Sequence, residues 1–193
     1  MEVVVNETKI NLLKEVGIGE GHNAPVLDQI ADKSRYIKDL KINVSNFLNT
    51  KNLNKKEALL IALATAVNDK SAVLQEGLLD LAKQEGASEE EVAEIYAAVS
   101  LLNVNNVFYR FRHFTGNEYY NNTPAGIKMS VMMNPVLGKE FFELVSLVVS
   151  ALNGCELCVN SHDDSVKKHG ASEERIYEAI RLGAVIRGLT VVL

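Results

Sequence analysis

The sequence is short of proline and cysteine, carries no excess of positive charge and contains no long apolar run. Only 3 Pro and 12 Gly occur in 193 residues, so few positions interrupt a helix, and the prominence of Ala, Leu, Val, Glu and Lys favours helices. With 20 Lys+Arg against 25 Asp+Glu the net charge is −5, a poor balance for a partner in nucleic acid or an anionic membrane. The longest apolar segment, residues 144–152, is interrupted by Ser146 and Ser150 and falls far short of the ~20 residues of a spanning helix. Residues 1–7 have no basic region, apolar stretch or cleavage-like site of a secretory leader. The expectation is a cytoplasmic protein with no membrane partner. Two cysteines do not make a disulfide-stapled secreted scaffold, and both fall in one short stretch. In a reducing cytosol such a pair reads as redox-active or metal-binding rather than as a static crosslink. What is present is 47% apolar side chains, ample for the core of one medium domain or two fused halves and incompatible with global disorder.

Residues 1–30 read as a weakly tied N-terminal extension, because Gly17, Gly19 and Gly21 break a short amphipathic stretch and Pro25 follows. Residues 31–193 read as one helical domain. Tyr36, Leu40, Val44, Phe47 and Leu48 recur at three- and four-residue steps, with Lys38, Asp39 and Lys41 on the other side. Residues 55–67 are apolar almost all round and predict a buried helix; residues 72–84 predict another, stopped by Gly86. Ser88 and Glu91 form a capping box at the start of the next, the serine accepting the amide of Glu91 and the glutamate reaching back. No stretch sustains period-two alternation. The fold class is therefore all-α.

The chain also repeats itself. Residues 83–92 resemble residues 167–176, both carrying Gly-Ala-Ser-Glu-Glu, and residues 65–68 resemble residues 150–153. Two copies at a period of about 84 residues predict a pseudo-symmetric bundle, with a degenerate repeat over about 55–110 and an active repeat over about 138–193. Matching Asn68 to Asn153 puts Lys70 and Val73 where the second copy has Cys155 and Cys158.

The chemistry gathers in that second copy. Asn153-Gly154 ends one helix, and Cys155-Glu156-Leu157-Cys158 opens the next, with His162 four residues beyond Cys158. At three- and four-residue steps Cys155, Cys158 and His162 share one helix face, and a helix N-terminus favours a thiolate there. Side chains three apart on a helix stand about 5–6 Å apart at Cβ, wider than a relaxed disulfide prefers, so the spacing predicts a strained, readily reduced bond. Cys158, one turn deeper, reads as the protected nucleophile, and Cys155 as the partner more reachable by a reductant. Glu143 lies in an apolar stretch, where an acid needs partners; it either orients a water or accepts the thiol proton, directly or through His162, or else it faces solvent at a helix start.

Other readings stand beside these. The cysteine pair also suits half of a zinc site, although no second pair completes the usual four ligands, or plain burial in a core. His169, before Gly170, reads as a helix-terminal residue. His113 belongs to a run of aromatics alternating with cations over residues 105–114, which reads as packing at a subunit or repeat interface rather than as a nucleic-acid platform. His22 is assigned no role.

Glu143, eleven residues, Cys155-x-x-Cys158, three residues and His162 resemble the active-site pattern of the AhpD alkyl hydroperoxidases, within the carboxymuconolactone decarboxylase-like superfamily. Asn105-Asn106-Val107-Phe108-Tyr109-Arg110 and the phrases from Met129 to Pro135 and from Phe142 to Cys155 resemble the same family. The similarity runs from about Ser34 to the C-terminus. It implies an all-helical fold of two related halves, assembled as a trimer, and peroxidase activity on alkyl hydroperoxides and hydrogen peroxide. Dihydrolipoamide is the implied reductant, supplied by a lipoylated acyltransferase subunit and dihydrolipoamide dehydrogenase, with an AhpC-type peroxiredoxin as a further partner. No bound cofactor or metal is expected. The resemblance makes Cys158 the peroxidatic cysteine, Cys155 the resolving one, and Glu143 with His162 a proton relay. It departs at Leu157, where the family has a second histidine. That departure gives weight to one alternative, a thiol–disulfide oxidoreductase passing electrons from dihydrolipoamide to a peroxiredoxin; a further alternative, of a different class, is a non-catalytic helical oligomer switched by oxidation.

Overall fold

The computed structural model describes residues 7–193, and among them every regular element is helical. Ten α-helices follow in order: α1 (Glu7–Glu15), α2 (Pro25–Lys33), α3 (Tyr36–Leu48), α4 (Lys55–Asn68), α5 (Ala72–Gln84), α6 (Glu89–Thr115), α7 (Glu118–Asn122), α8 (Lys139–Leu152), α9 (Glu156–Lys168) and α10 (Glu173–Thr190). A single 3-10 turn, Ser130–Met132, lies between α7 and α8.

The middle of the bundle is α4, buried continuously from Ala58 to Ala66 and packed by α3, α5, α6, α8 and α10. Such a helix has no polar face to give to solvent, so it must be surrounded. Its start is fixed by Asn54 and Glu57, and that of α6 by Ser88 and Glu91, each pair exchanging both capping hydrogen bonds. At the start of α10 Ser172 caps in the same way, but Arg175 stands in the glutamate's place. Its guanidinium instead spans the two halves, bonding Glu57 at 2.7 Å and Glu140 at 2.8 Å.

The two halves are in register. Lys55, Ala72 and Glu89 open three helices, and Lys139, Glu156 and Glu173 open three more, each start 84 positions after its counterpart. Lys70 (φ 60°) takes the left-handed position that Gly154 (φ 66°) takes in the second half. That register corrects the equivalence drawn from Asn68 and Asn153, which is displaced by one residue. The counterparts of Cys155 and Cys158 are Ser71 and Leu74, and those of Glu143 and His162 are Leu59 and Leu78. All three leucines are fully buried.

Residues 7–30 are more firmly held than the glycines and Pro25 suggest; residues 1–6 lie outside the described part. Leu12, Leu13, Val16, Ala24 and Leu27 are wholly buried, α1 packs on α3, and Ser45 donates to Glu15 at 3.0 Å. Gly17 (φ 74°) lies backbone to backbone with Gly77 of α5, where a Cβ on Gly17 would stand 2.3 Å from the Gly77 carbonyl oxygen and one on Gly77 2.3 Å from that of Val16. The glycine run thus serves close approach rather than looseness.

Candidate active site

Asn153 and Gly154 end α8 in a paired turn, with Gly154 N donating to Ala151 O and Cys155 N to Ser150 O, both at 3.1 Å. That turn draws Cys155 back onto α8 and leaves it as the N-cap of α9, in extended conformation. Because Cys155 stands just outside the helix, its sulfur meets that of Cys158 across a Cα–Cα distance of 5.3 Å, and the two form a disulfide. The exposure of the pair is the reverse of the expected one. Cys155 is fully buried, whereas Cys158 is 7% exposed and lines a cavity of about 400 Å³.

One turn beyond Cys158, His162 lines the same cavity. Its Nδ1 lies 2.7 Å from Oε2 of Glu143, which α8 brings alongside from one turn inside its own start. Glu143 is 4% exposed and does not face solvent. Lys139, one turn earlier on α8, places Nζ 3.2 Å from the other oxygen. Burial pushes the Glu143 carboxyl up, but the hydrogen bonds and charges of His162 and Lys139 together hold it below the ordinary carboxylate range. An ionised Glu143 accepts from Nδ1–H, so Nε2 is the imidazole nitrogen left to exchange protons.

The rest of the cavity is lined by Asn105 and Tyr109 of α6, Met129 and Met132, and Leu157 and Ser161 of α9. Leu157, 45% exposed, is therefore an apolar side chain where the family pattern has an imidazole. The α6 contribution goes beyond the packing role read from residues 105–114. Asn106 donates to Ser150 Oγ at 3.0 Å and accepts from Asn153 at 2.9 Å, and Arg110 donates to the Asn153 carbonyl. These bonds fix the turn that presents Cys155. His113 pairs with Glu156 at 3.4 Å. Two adjacent asparagines in the buried half of a long helix were the signal available in the sequence, since such side chains need partners. His169 bonds the Ser165 carbonyl at 2.8 Å and so satisfies a helix-end acceptor. His22 lines a separate cavity with Gly17 and Gly77. Among the described residues no group of three or more His, Cys, Asp and Glu is arranged to hold a metal ion, and no helix is long and apolar enough to cross a membrane.

Comparison with known proteins bears on this geometry. Residues 120–193, which carry the cysteine pair, the histidine and the glutamate, match the carboxymuconolactone decarboxylase family. The chain is 37% identical over 165 residues to an alkyl hydroperoxide reductase AhpD of Coxiella burnetii, covering 84% of this chain and 91% of that one. This protein belongs to the AhpD family. A second AhpD, from Solibacter usitatus, is 37% identical over 158 residues, covering 82% of this chain and 89% of its own. A third, from Anaeromyxobacter dehalogenans, is 38% identical over 159 residues, covering 81% and 83%. The all-α bundle is the fold expected of an AhpD-like protein, and the relatives' names support an alkyl hydroperoxide reductase activity.

Proposed function

We propose that the protein is a lipoyl-dependent peroxidase that reduces organic hydroperoxides and hydrogen peroxide through a dithiol–disulfide cycle of Cys155 and Cys158. The observation that carries this reading is that His162, held by the buried Glu143, lines one cavity with Cys158. In the reduced enzyme His162, held by Glu143, takes the Cys158 proton. The thiolate attacks the terminal peroxide oxygen, the O–O bond breaks, and the departing alkoxide takes a proton from His162. Cys155 then displaces hydroxide from the sulfenic acid, giving the disulfide and water. Dihydrolipoamide restores both thiols. Its thiol meets the sulfur that opens on the cavity, Cys158, and releases Cys155 as a thiolate favoured by the N-terminus of α9. The proposed partners are a lipoylated acyltransferase subunit with dihydrolipoamide dehydrogenase, and an AhpC-type peroxiredoxin, in the cytoplasm.

A homo-oligomer, the trimer of the family pattern, is part of the proposal. Val104, Val107, Phe111 and Phe114 form one exposed apolar stripe along α6, a face suited to a second copy.

One observation favours a second reading. Leu157 offers no proton and sits exposed at the cavity, which suits a shuttle that hands electrons to a peroxiredoxin and reduces little peroxide itself. The deciding experiment follows NADH consumption with lipoamide, dihydrolipoamide dehydrogenase and a small alkyl hydroperoxide. Peroxide-dependent turnover that disappears in Cys158→Ser supports the peroxidase; reduction of the disulfide without such turnover supports the shuttle.

A further inference from the structure

We infer that Asn105 is the residue that binds and orients the hydroperoxide, accepting its single O–H; this rests on the peroxidase reading above. The two neighbouring asparagines of α6 are treated very differently by the fold. Asn106 spends both ends of its amide on Ser150 and Asn153. Asn105 is 6% exposed and lines the cavity with Cys158 and His162. Its Nδ2 has only the Met129 sulfur, at 3.2 Å, and its Oδ1 is buried with no partner. Among the described residues the other buried side-chain atoms in that condition belong to Thr50 and Arg112, neither of which lines this cavity.

A buried amide oxygen without a donor is a cost that a stable fold ordinarily removes. A thioether is a weak acceptor, so little holds the amide in its present orientation. Once the amide turns its oxygen to the cavity, a hydroperoxide supplies the missing donor. Its one O–H sits on the oxygen that the thiolate attacks, so an acceptor at Asn105 holds that oxygen in the cavity with Cys158. The proton stays on that oxygen as the S–O bond forms and becomes the sulfenic acid proton. The O–O bond breaks, and the alkoxide oxygen takes its proton from His162. The organic group then lies against Tyr109, Met129, Met132 and Leu157, the apolar part of the lining. Asn105 removes no proton from Cys158, so it governs peroxide binding and not thiol acidity.

The test uses the full-length reduced protein and two electrophiles. Cumene hydroperoxide has the O–H that Asn105 accepts; iodoacetamide reports thiolate reactivity and does not need it. In Asn105→Leu, similar in size but without an acceptor, the second-order rate with cumene hydroperoxide falls about tenfold or more, while alkylation of Cys158 stays within about twofold of wild type. Asn105→Ala shows the same split and serves if the leucine variant does not fold. A parallel fall of both rates overturns the inference, because Asn105 would then support the thiolate itself. An unchanged peroxide rate overturns it as well. Failure of the peroxidase reading is seen separately, as wild-type protein that alkylates normally but reacts with no hydroperoxide.

Discussion

The carboxylate of Glu143 and the imidazole of His162 meet at 2.7 Å between two antiparallel helices, with Lys139 closing the other carboxylate oxygen at 3.2 Å. The pair is buried, so its charge is compensated locally, and it belongs to one rigid hairpin of α8 and α9. Replacing Glu143 by Gln keeps the shape and removes the carboxylate that accepts from His162 Nδ1 and fixes the ring. The expected result is a loss of about 10²–10⁴ in kcat/KM for hydroperoxide, with the helical circular dichroism unchanged.

The same pair fixes part of the acid sensitivity. Glu143 titrates below its ordinary value of 4.5, so in the folded state it stays ionised where an unfolded chain would protonate. Its contribution to stability is complete above the ordinary carboxylate range and is lost as pH falls through the folded value. Urea midpoints measured at neutral pH and in steps below about pH 4.5 decline for wild type, and the decline is shallower for Glu143→Gln.

Arg175 joins Glu57 of the first half to Glu140 of the second, and its own pKa is raised by both carboxylates against the opposing effect of burial. Arg175→Ala leaves two partly buried acids facing each other without a cation. A loss of about 2–3 kcal/mol in unfolding free energy is expected, read from denaturant midpoints.

Gly77→Ala places a Cβ 2.3 Å from the Val16 carbonyl oxygen, and backbone cannot yield as a side chain tip does. A cost of about 1–3 kcal/mol is expected, together with faster proteolysis confined to the segment before α3. Cleavage no faster than in wild type would show that the Gly17–Gly77 contact does not hold this segment.

Leu157→His supplies an imidazole at the cavity. Under the peroxidase reading it raises hydroperoxide turnover and adds a titration near neutral pH to the rate profile. No gain in rate, with disulfide reduction intact, would favour the shuttle.

Much of this was legible from short-range rules. The capping box of Ser88 and Glu91 and the nearly uniform burial of α4 follow from local pattern. So does the placing of Cys158 and His162 one helical turn apart. What could not be read depends on contacts distant in sequence. Leu12 and Leu13 belong to a helix too short to stand alone, and its stability comes from packing on α3. The relative exposure of the two cysteines is decided by a turn that folds Cys155 onto α8 and by a cavity walled from α6 and the Met129–Met132 segment. The one-residue error in matching the repeats arose because Asn68 and Asn153 look alike in sequence, and they do hydrogen-bond to each other at 3.0 Å, yet they occupy successive positions in the helical register.

Leu59, Leu74 and Leu78 stand where the other half has Glu143, Cys158 and His162, and their full burial makes the molecule energetically lopsided. Each buried leucine is worth about 1.5–3 kcal/mol, whereas a charged pair, a disulfide and a cavity give the second half little in return. The leucine half acts as ballast. Under the proposed cycle it allows its twin to keep desolvated ionic groups and a sulfur bridge that opens and closes, without the bundle coming apart when the bridge opens. On that reading the two halves divide durability from reactivity between two versions of one plan, and substitutions that weaken the leucine half should surface as fragility of the reduced form before they surface as lost chemistry.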